Sequence, residues 1–123
     1  MIKSHKELIV WQKSMDLVVV VYKLTATFPK EEIYGLIAQM RRCAVSIPSN
    51  IAEGRKRGSI KNYRKFLFYS FGSAGELETQ LEIAMRLHYG RQSLYEDVDK
   101  LLNEVLKMLA TMTKSLRPTT YNL

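Results

Sequence analysis

Proline, glycine and cysteine are scarce in this chain, and no apolar stretch approaches the length of a membrane span. Three prolines and six glycines in 123 residues leave long segments free of helix breakers, which favours helices. A single cysteine, Cys43, excludes an intramolecular disulfide and any zinc site built from several thiolates. Met40, Ala44 and Ile47 stand around it at helical spacing, which marks it as a small buried hydrophobe in preference to a reactive thiol. The longest apolar run, Leu17–Tyr22, falls far short of the roughly 18 residues that span a bilayer. The opening Met-Ile-Lys-Ser-His-Lys-Glu lacks the apolar core of a secretory signal. The expectation is a cytoplasmic chain with no membrane partner.

Signatures of chemistry are equally sparse. No Glu-x-x-His pair of a di-iron bundle occurs, and neither does a dinucleotide fingerprint, a Walker loop or a nucleophile elbow. His5 and His88 read as surface or helix-end residues, and Ser46 and Ser49 have no histidine near them in sequence. Glu76, Glu78 and Gln80 flank the apolar Leu77 and Leu81. One carboxylate of this group is expected to pair with Arg41 or Arg42 across a helix interface, and the others to face water. The chain is therefore expected to be non-enzymatic, with no cofactor and no metal.

What is present is a single domain's length with a strongly local charge. The net charge is +7. Between Arg41 and Lys65 eight basic residues face one acid, Glu53, a surplus equal to the whole net charge. Charge gathered in this way points to a polyanionic partner.

Punctuation and periodicity divide residues 1–123 into one all-α domain of four helices. The first is predicted over about Lys6–Phe28, stopped by Pro29. It carries two apolar faces, Leu8, Trp11, Met15, Val18 and Tyr22 on one, and Leu17, Val20, Val21, Leu24 and Phe28 on the other. The second, from Ile33 or Gly35 to Glu53, has the seam Ile37, Met40, Ala44, Ile47, Ile51. Pro48 interrupts it without breaking phase, so a kink is expected there, with Asn50 and Glu53 meeting the backbone groups that proline frees. Gly54 is placed as the terminating glycine and Arg55-Lys56-Arg57-Gly58 as the loop. Ser59 caps a third helix that reaches Tyr89, with Leu67, Ser70, Ala74, Leu77, Leu81 and Ala84 on its seam and Gly90 closing it. Its small middle, Ser70 to Gly75, predicts close approach of another helix. Ser93-Leu-Tyr-Glu96 reads as a capping box for a fourth helix with the stripe Val98, Leu101, Leu102, Val105, Leu109, Met112, Leu116, ended by Arg117-Pro118. Short linkers predict an antiparallel up-down-up-down four-helix bundle, its second helix kinked at Pro48.

Several runs carry a resemblance: Leu8-Ile-Val-Trp-Gln-Lys13, Phe28-Pro-Lys30 with Tyr34-Gly-Leu36, Gln39-Met-Arg-Arg42 with Ser46-Ile-Pro-Ser-Asn-Ile-Ala-Glu-Gly54, and Gly72-Ser-Ala-Gly-Glu-Leu-Glu-Thr-Gln-Leu81. In this order they resemble the bacterial four-helix-bundle proteins first noticed as open reading frames in intervening sequences of large-subunit ribosomal RNA genes. The resemblance runs from Leu8 to about Leu109. It implies a ring-like homopentamer and relatives that are accessory proteins of diversity-generating retroelements, which bind nucleic acid and a reverse transcriptase through a basic surface. Two departures stand out. Arg55-Lys56-Arg57 replaces the aromatic residue and glycine that often follow Ile-Ala-Glu-Gly, and Cys43 stands where alanine is common.

The two apolar faces of the first helix agree with assembly, and Trp11, Met15, Tyr22 and Phe28 are the candidate subunit contacts. The expected function is a ring-forming scaffold that binds RNA or DNA without sequence preference. Arg55, Lys56, Arg57, Lys61, Arg64 and Lys65 would meet phosphates. Tyr63 and Tyr69 lie close enough to stack on bases, although packing within the fold is the commoner role of helical aromatics. The alternative is a protein-interaction module, such as a partner of a reverse transcriptase, whose basic end docks an acidic surface.

Overall fold

A computed structural model of the chain describes residues 4–116. Four helices make up almost all of it: α1 Ile9–Thr25, α2 Leu36–Lys56, α3 Ile60–Arg86 and α4 Tyr95–Ser115. Short 3₁₀ turns precede α1, α2 and α4, and no strand occurs among the described residues. Each helix packs on two others: α1 on α2 and α4, α3 on α2 and α4, with the α2–α3 seam the most extensive.

The core follows the apolar periodicity. On α2 every seam residue, Ile37, Met40, Ala44, Ile47 and Ile51, is buried, and so are all six on α3. On α1 it is the face of Leu17, Val21, Leu24 and Phe28 that enters the core, continued by Val10 and the unforeseen Ser14. Ser14 satisfies its hydroxyl on Trp11 O at 2.8 Å. Of the other apolar face, Leu8, Trp11 and Val18 pack half-buried against the core, and Met15 and Tyr22 stay exposed.

Helix ends depart from the sequence expectations in instructive ways. Gly54 lies inside α2, which continues to Lys56. A Cβ there would stand 2.7 Å from the Cβ of Phe66 and 3.3 Å from Tyr63, so this glycine serves close approach of α3. Gly58, at φ +83°, takes the left-handed position after α2. Ser59 caps α3 as expected, accepting from Asn62 N at 3.1 Å. At its far end α3 stops at Arg86, and His88 at φ +58° occupies the left-handed position. The Tyr89 N–H reaches Ala84 O and the His88 N–H reaches Met85 O, the paired bonds of a Schellman close. Gly90 lies beyond that close.

Ser93 caps nothing. It sits within the 3₁₀ turn Gln92–Leu94, and α4 begins at Tyr95, a buried residue whose O–H donates to Tyr89 O at 2.7 Å. Docking of Tyr95 fixes where α4 starts. α2 is capped from outside by Glu32, which accepts from Leu36 N with one oxygen and from Tyr89 O–H with the other. Pro48 lies within the unbroken span of α2. The carbonyl it leaves without a donor is that of Ala44, yet the Asn50 amide donates to Ser46 O and Oγ, and Glu53 pairs with Arg57. Neither side chain takes up the role expected of it. Arg117-Pro118, the expected end of α4, lies outside the described residues.

Along the α2–α3 seam high numbers meet low ones. Gly54 meets Tyr63, Ser70 Oγ donates to Ile47 O at 2.8 Å, and Ser46 Oγ lies 2.7 Å from Ser73 Oγ. These two helices therefore run in opposite directions. Ser70 and Ala74 explain the small middle of α3 on this side. Gly72 and Gly75 do not belong to that explanation, because a Cβ on either would meet nothing within 4 Å.

Candidate nucleic-acid interface

The turn from α2 to α3 gathers the basic residues at one pole. Arg55 and Lys56 close α2, Arg57 follows, and Lys61, Arg64 and Lys65 lie on the first two turns of α3. All are exposed except Arg64, which is half-buried. The 3₁₀ turn before α1 reaches the same pole, since Lys56 and Lys6 both act on His5. Burial first, and then these two ammonium groups, pull the His5 imidazole below its ordinary value. Its ring packs edge-on against Trp11 at 5.2 Å.

The cations are ordered by aromatic rings. Arg57 lies 5.0 Å from the Phe66 centroid, Arg64 4.8 Å from Phe68, Arg55 5.9 Å from Tyr63 and Lys65 5.9 Å from Tyr69. Each such contact contributes about 0.5–1 kcal/mol at an exposed site and holds the charge near an aromatic face. Arg64 and Arg57 also carry fold contacts. Arg64 Nε donates to Thr113 O at 2.9 Å, tying α3 to the end of α4, and Arg57 pairs with Glu53 at 2.9 Å. Tyr63 is half-buried, and burial pushes its phenol up. Tyr69 and Phe68 are exposed. Of the two tyrosines, Tyr69 is the more exposed, its ring set edge-to-face with Phe66 at 5.2 Å.

Charge placement on α3 runs against the helix dipole. Its first turn holds no acid and includes Lys61, where a helix N-terminus favours carboxylates. At the opposite pole the signs are mixed, with Glu31, Glu32 and Lys30 before α2, Arg86 ending α3, and Glu96 and Asp97 opening α4.

The candidate subunit contacts separate. Met15 and Tyr22 are each 41 % exposed, joined by Val19 and by Val45 of α2. Trp11 is half-buried. Phe28 is buried against Tyr89 and has no surface left to offer. Arg41 does not meet a carboxylate. Its Nε donates to Thr25 Oγ1 at 2.8 Å and its guanidinium lies 4.4 Å from the Tyr22 centroid.

A polar recess of about 420 Å³ lies outward on the α2–α3 seam, lined by Gln39, Arg42 and Ser46 of α2 and by Ser73, Glu76 and Gln80 of α3. Arg42 and Glu76 both border it, but the ion pairs of the described residues lie elsewhere, Lys13–Glu104 and Arg86–Glu82 among them. Cys43 also lines it, its thiol pushed up by burial, with Glu76 adding to the shift against a hydrogen bond from Gln80. Periodicity alone could not find this recess, because its residues come together only through the α2–α3 register.

No group of three or more His, Cys, Asp or Glu that could hold a metal occurs among the described residues, and no helix there is long and apolar enough to cross a membrane. The family model for the 23S rRNA-intervening sequence protein matches residues 6–111. The chain belongs to that family. A crystal structure of a protein of unknown function from the S23 ribosomal protein family of Bacteroides thetaiotaomicron superposes with a TM-score of 0.77 at 26 % identity, covering 86 % of this chain and 96 % of that one. No protein of curated function matches the chain. The family match spans the basic pole, the α1 surface face and the recess together.

Proposed function

We propose that this chain is a non-enzymatic scaffold that binds RNA or DNA through its basic pole, with little dependence on sequence. The observation that carries the reading is the α2–α3 turn, where six cations gather, four of them against aromatic rings. Lysine in the first turn of α3 supports it, because that placement opposes the helix dipole and a bound anion would offset the cost. Exposed Phe68 and Tyr69 beside Lys65 suit unpaired bases, which stack on aromatic faces while the phosphates meet the cations. The scaffold is an up-down-up-down bundle in which Pro48 bends α2. Its copies close into a cytoplasmic ring, a pentamer, through the apolar α1 face of Met15, Val19 and Tyr22, and repetition turns weak contacts into avidity.

The test is fluorescence anisotropy of labelled RNA and DNA over a salt series. The variant is Lys56→Glu, Lys61→Glu, Lys65→Glu, which spares the fold contacts of Arg57 and Arg64. Expected are micromolar or tighter binding by the wild type and a log–log salt slope near −0.9 per phosphate contact on duplex, about −0.7 on single strands. The variant should keep its assembly state by light scattering and lose most of the affinity. Absence of wild-type binding at low salt would leave the pole as a docking surface for an acidic protein.

A further inference from the structure

The recess between α2 and α3 holds unused hydrogen-bonding capacity of a particular kind. Gln80 is 6 % exposed, and its Oε1 is buried without a partner, a state that native interiors rarely leave unmet. Ser46 and Ser73 share one hydrogen bond, while the Asn50 amide donates to Ser46 Oγ at 3.0 Å. Two hydroxyls joined by one bond leave one O–H to donate elsewhere. Arg42 and Glu76 bring opposite charges to the same rim without an ion pair between them. A ligand with an acceptor for the guanidinium and adjacent N–H donors for the carboxylate complements this rim.

Among nucleobases, guanine alone presents that set on one edge. Its N1–H and N2–H₂ form two neighbouring donors for a carboxylate, and its O6 and N7 are the acceptors that arginine recognises. We infer that the recess receives an unpaired guanine, with Glu76 accepting from N1–H and N2–H₂, Arg42 donating to O6, and Gln80 Oε1 supplying a further acceptor. The recess, about 420 Å³, has room for the base and its sugar. A path leads there from the basic pole. Lys61, Lys65, Tyr69, Gly72 and Glu76 follow one another at helical spacing on α3, an outward stripe about 22 Å long. Gly72 leaves bare backbone on that stripe, with open space where its Cβ would be, so a strand can lie close to the helix just before the recess.

The inference takes its source of guanine, a single strand, from the nucleic-acid reading, and the experiment separates the two. Affinities are measured by anisotropy for a nine-nucleotide oligouridine and for the same oligomer with a central G, A or C. The wild type should bind the G oligomer at least fivefold tighter than the others. Glu76→Gln and Arg42→Gln, each checked for an unchanged thermal melt, should erase that preference while leaving oligouridine affinity within twofold. Equal binding of all four oligomers by the wild type overturns the guanine site and leaves the basic pole standing. If no oligomer binds, GMP and AMP are compared by NMR. Perturbation of the Arg42, Glu76 and Gln80 signals by GMP alone supports a site for the free nucleotide, and silence with both overturns it.

Discussion

His88 holds α3 closed in a backbone conformation that an L-residue adopts at a cost of roughly 1–2 kcal/mol and glycine adopts freely. Its side chain is exposed. His88→Gly should therefore stabilise the chain by about 0.5–1 kcal/mol after allowing for the greater freedom of glycine when unfolded, seen as a thermal midpoint a few degrees higher. One residue later in the same corner, the Tyr89 carbonyl accepts from the Tyr95 hydroxyl. Burial pushes the Tyr95 phenol from 10.0 up to about 12. The folded state thus keeps its proton longer than the unfolded state does. The associated stabilisation is complete below pH 10 and drains away as pH rises through about 12. Urea melts at pH 8, 10 and 11.5 should show a shallower alkaline decline for Tyr95→Phe than for wild type. That variant starts about 1 kcal/mol lower at pH 8, from the lost hydrogen bond.

At the scale of the helices, glycines on α2 and α3 have opposite meanings that their shared residue type conceals. Gly54→Ala forces a Cβ to within 2.7 Å of another Cβ, so it should destabilise by about 1–3 kcal/mol despite the better helix propensity of alanine. Gly72→Ala meets open space and should stabilise by up to about 1 kcal/mol. Chemical denaturation of the two variants checks the contrast. The core seams of α2 and α3 were legible in the sequence because period alone determines them. The end of α2 was not, since Gly54 looks like a terminator until Phe66 is placed against it. Ser93 failed as a cap for a similar reason, because burial of Tyr95 outweighs a local capping signal. The basic pole was legible as charge, whereas its pairing with Tyr63, Phe66, Phe68 and Tyr69 required the helix geometry, and the recess required the register. Lys61 sits where α3 favours an acid. Lys61→Glu should gain a few tenths of a kcal/mol in stability at low salt and weaken nucleic-acid binding, a trade-off read by melting and anisotropy on one sample.

Charge is uneven from end to end of the molecule, a cluster of cations where α2 meets α3 and mixed signs where α2 and α4 begin. A polyanion approaching such a body is drawn to the end where the cations gather. On the nucleic-acid reading, one copy would present a handful of phosphate contacts. A ring that points every basic pole the same way would present them together, and linked sites raise affinity by about 10²–10⁴ over one site. The face available to build it is the one that the core leaves out, where Met15, Val19 and Tyr22 are 41, 52 and 41 % exposed. Met15→Glu with Val19→Glu places two charges on that face without touching the core or the basic pole. Light scattering should find this double variant as single copies with an unchanged helical spectrum. Its nucleic-acid affinity should fall by at least a hundredfold, with a shallower salt slope in proportion to the phosphates lost. An unaltered mass would remove α1 as the joining face. A single-copy variant that still binds as tightly as wild type would mean that one basic pole suffices and that avidity is not the use of assembly through α1.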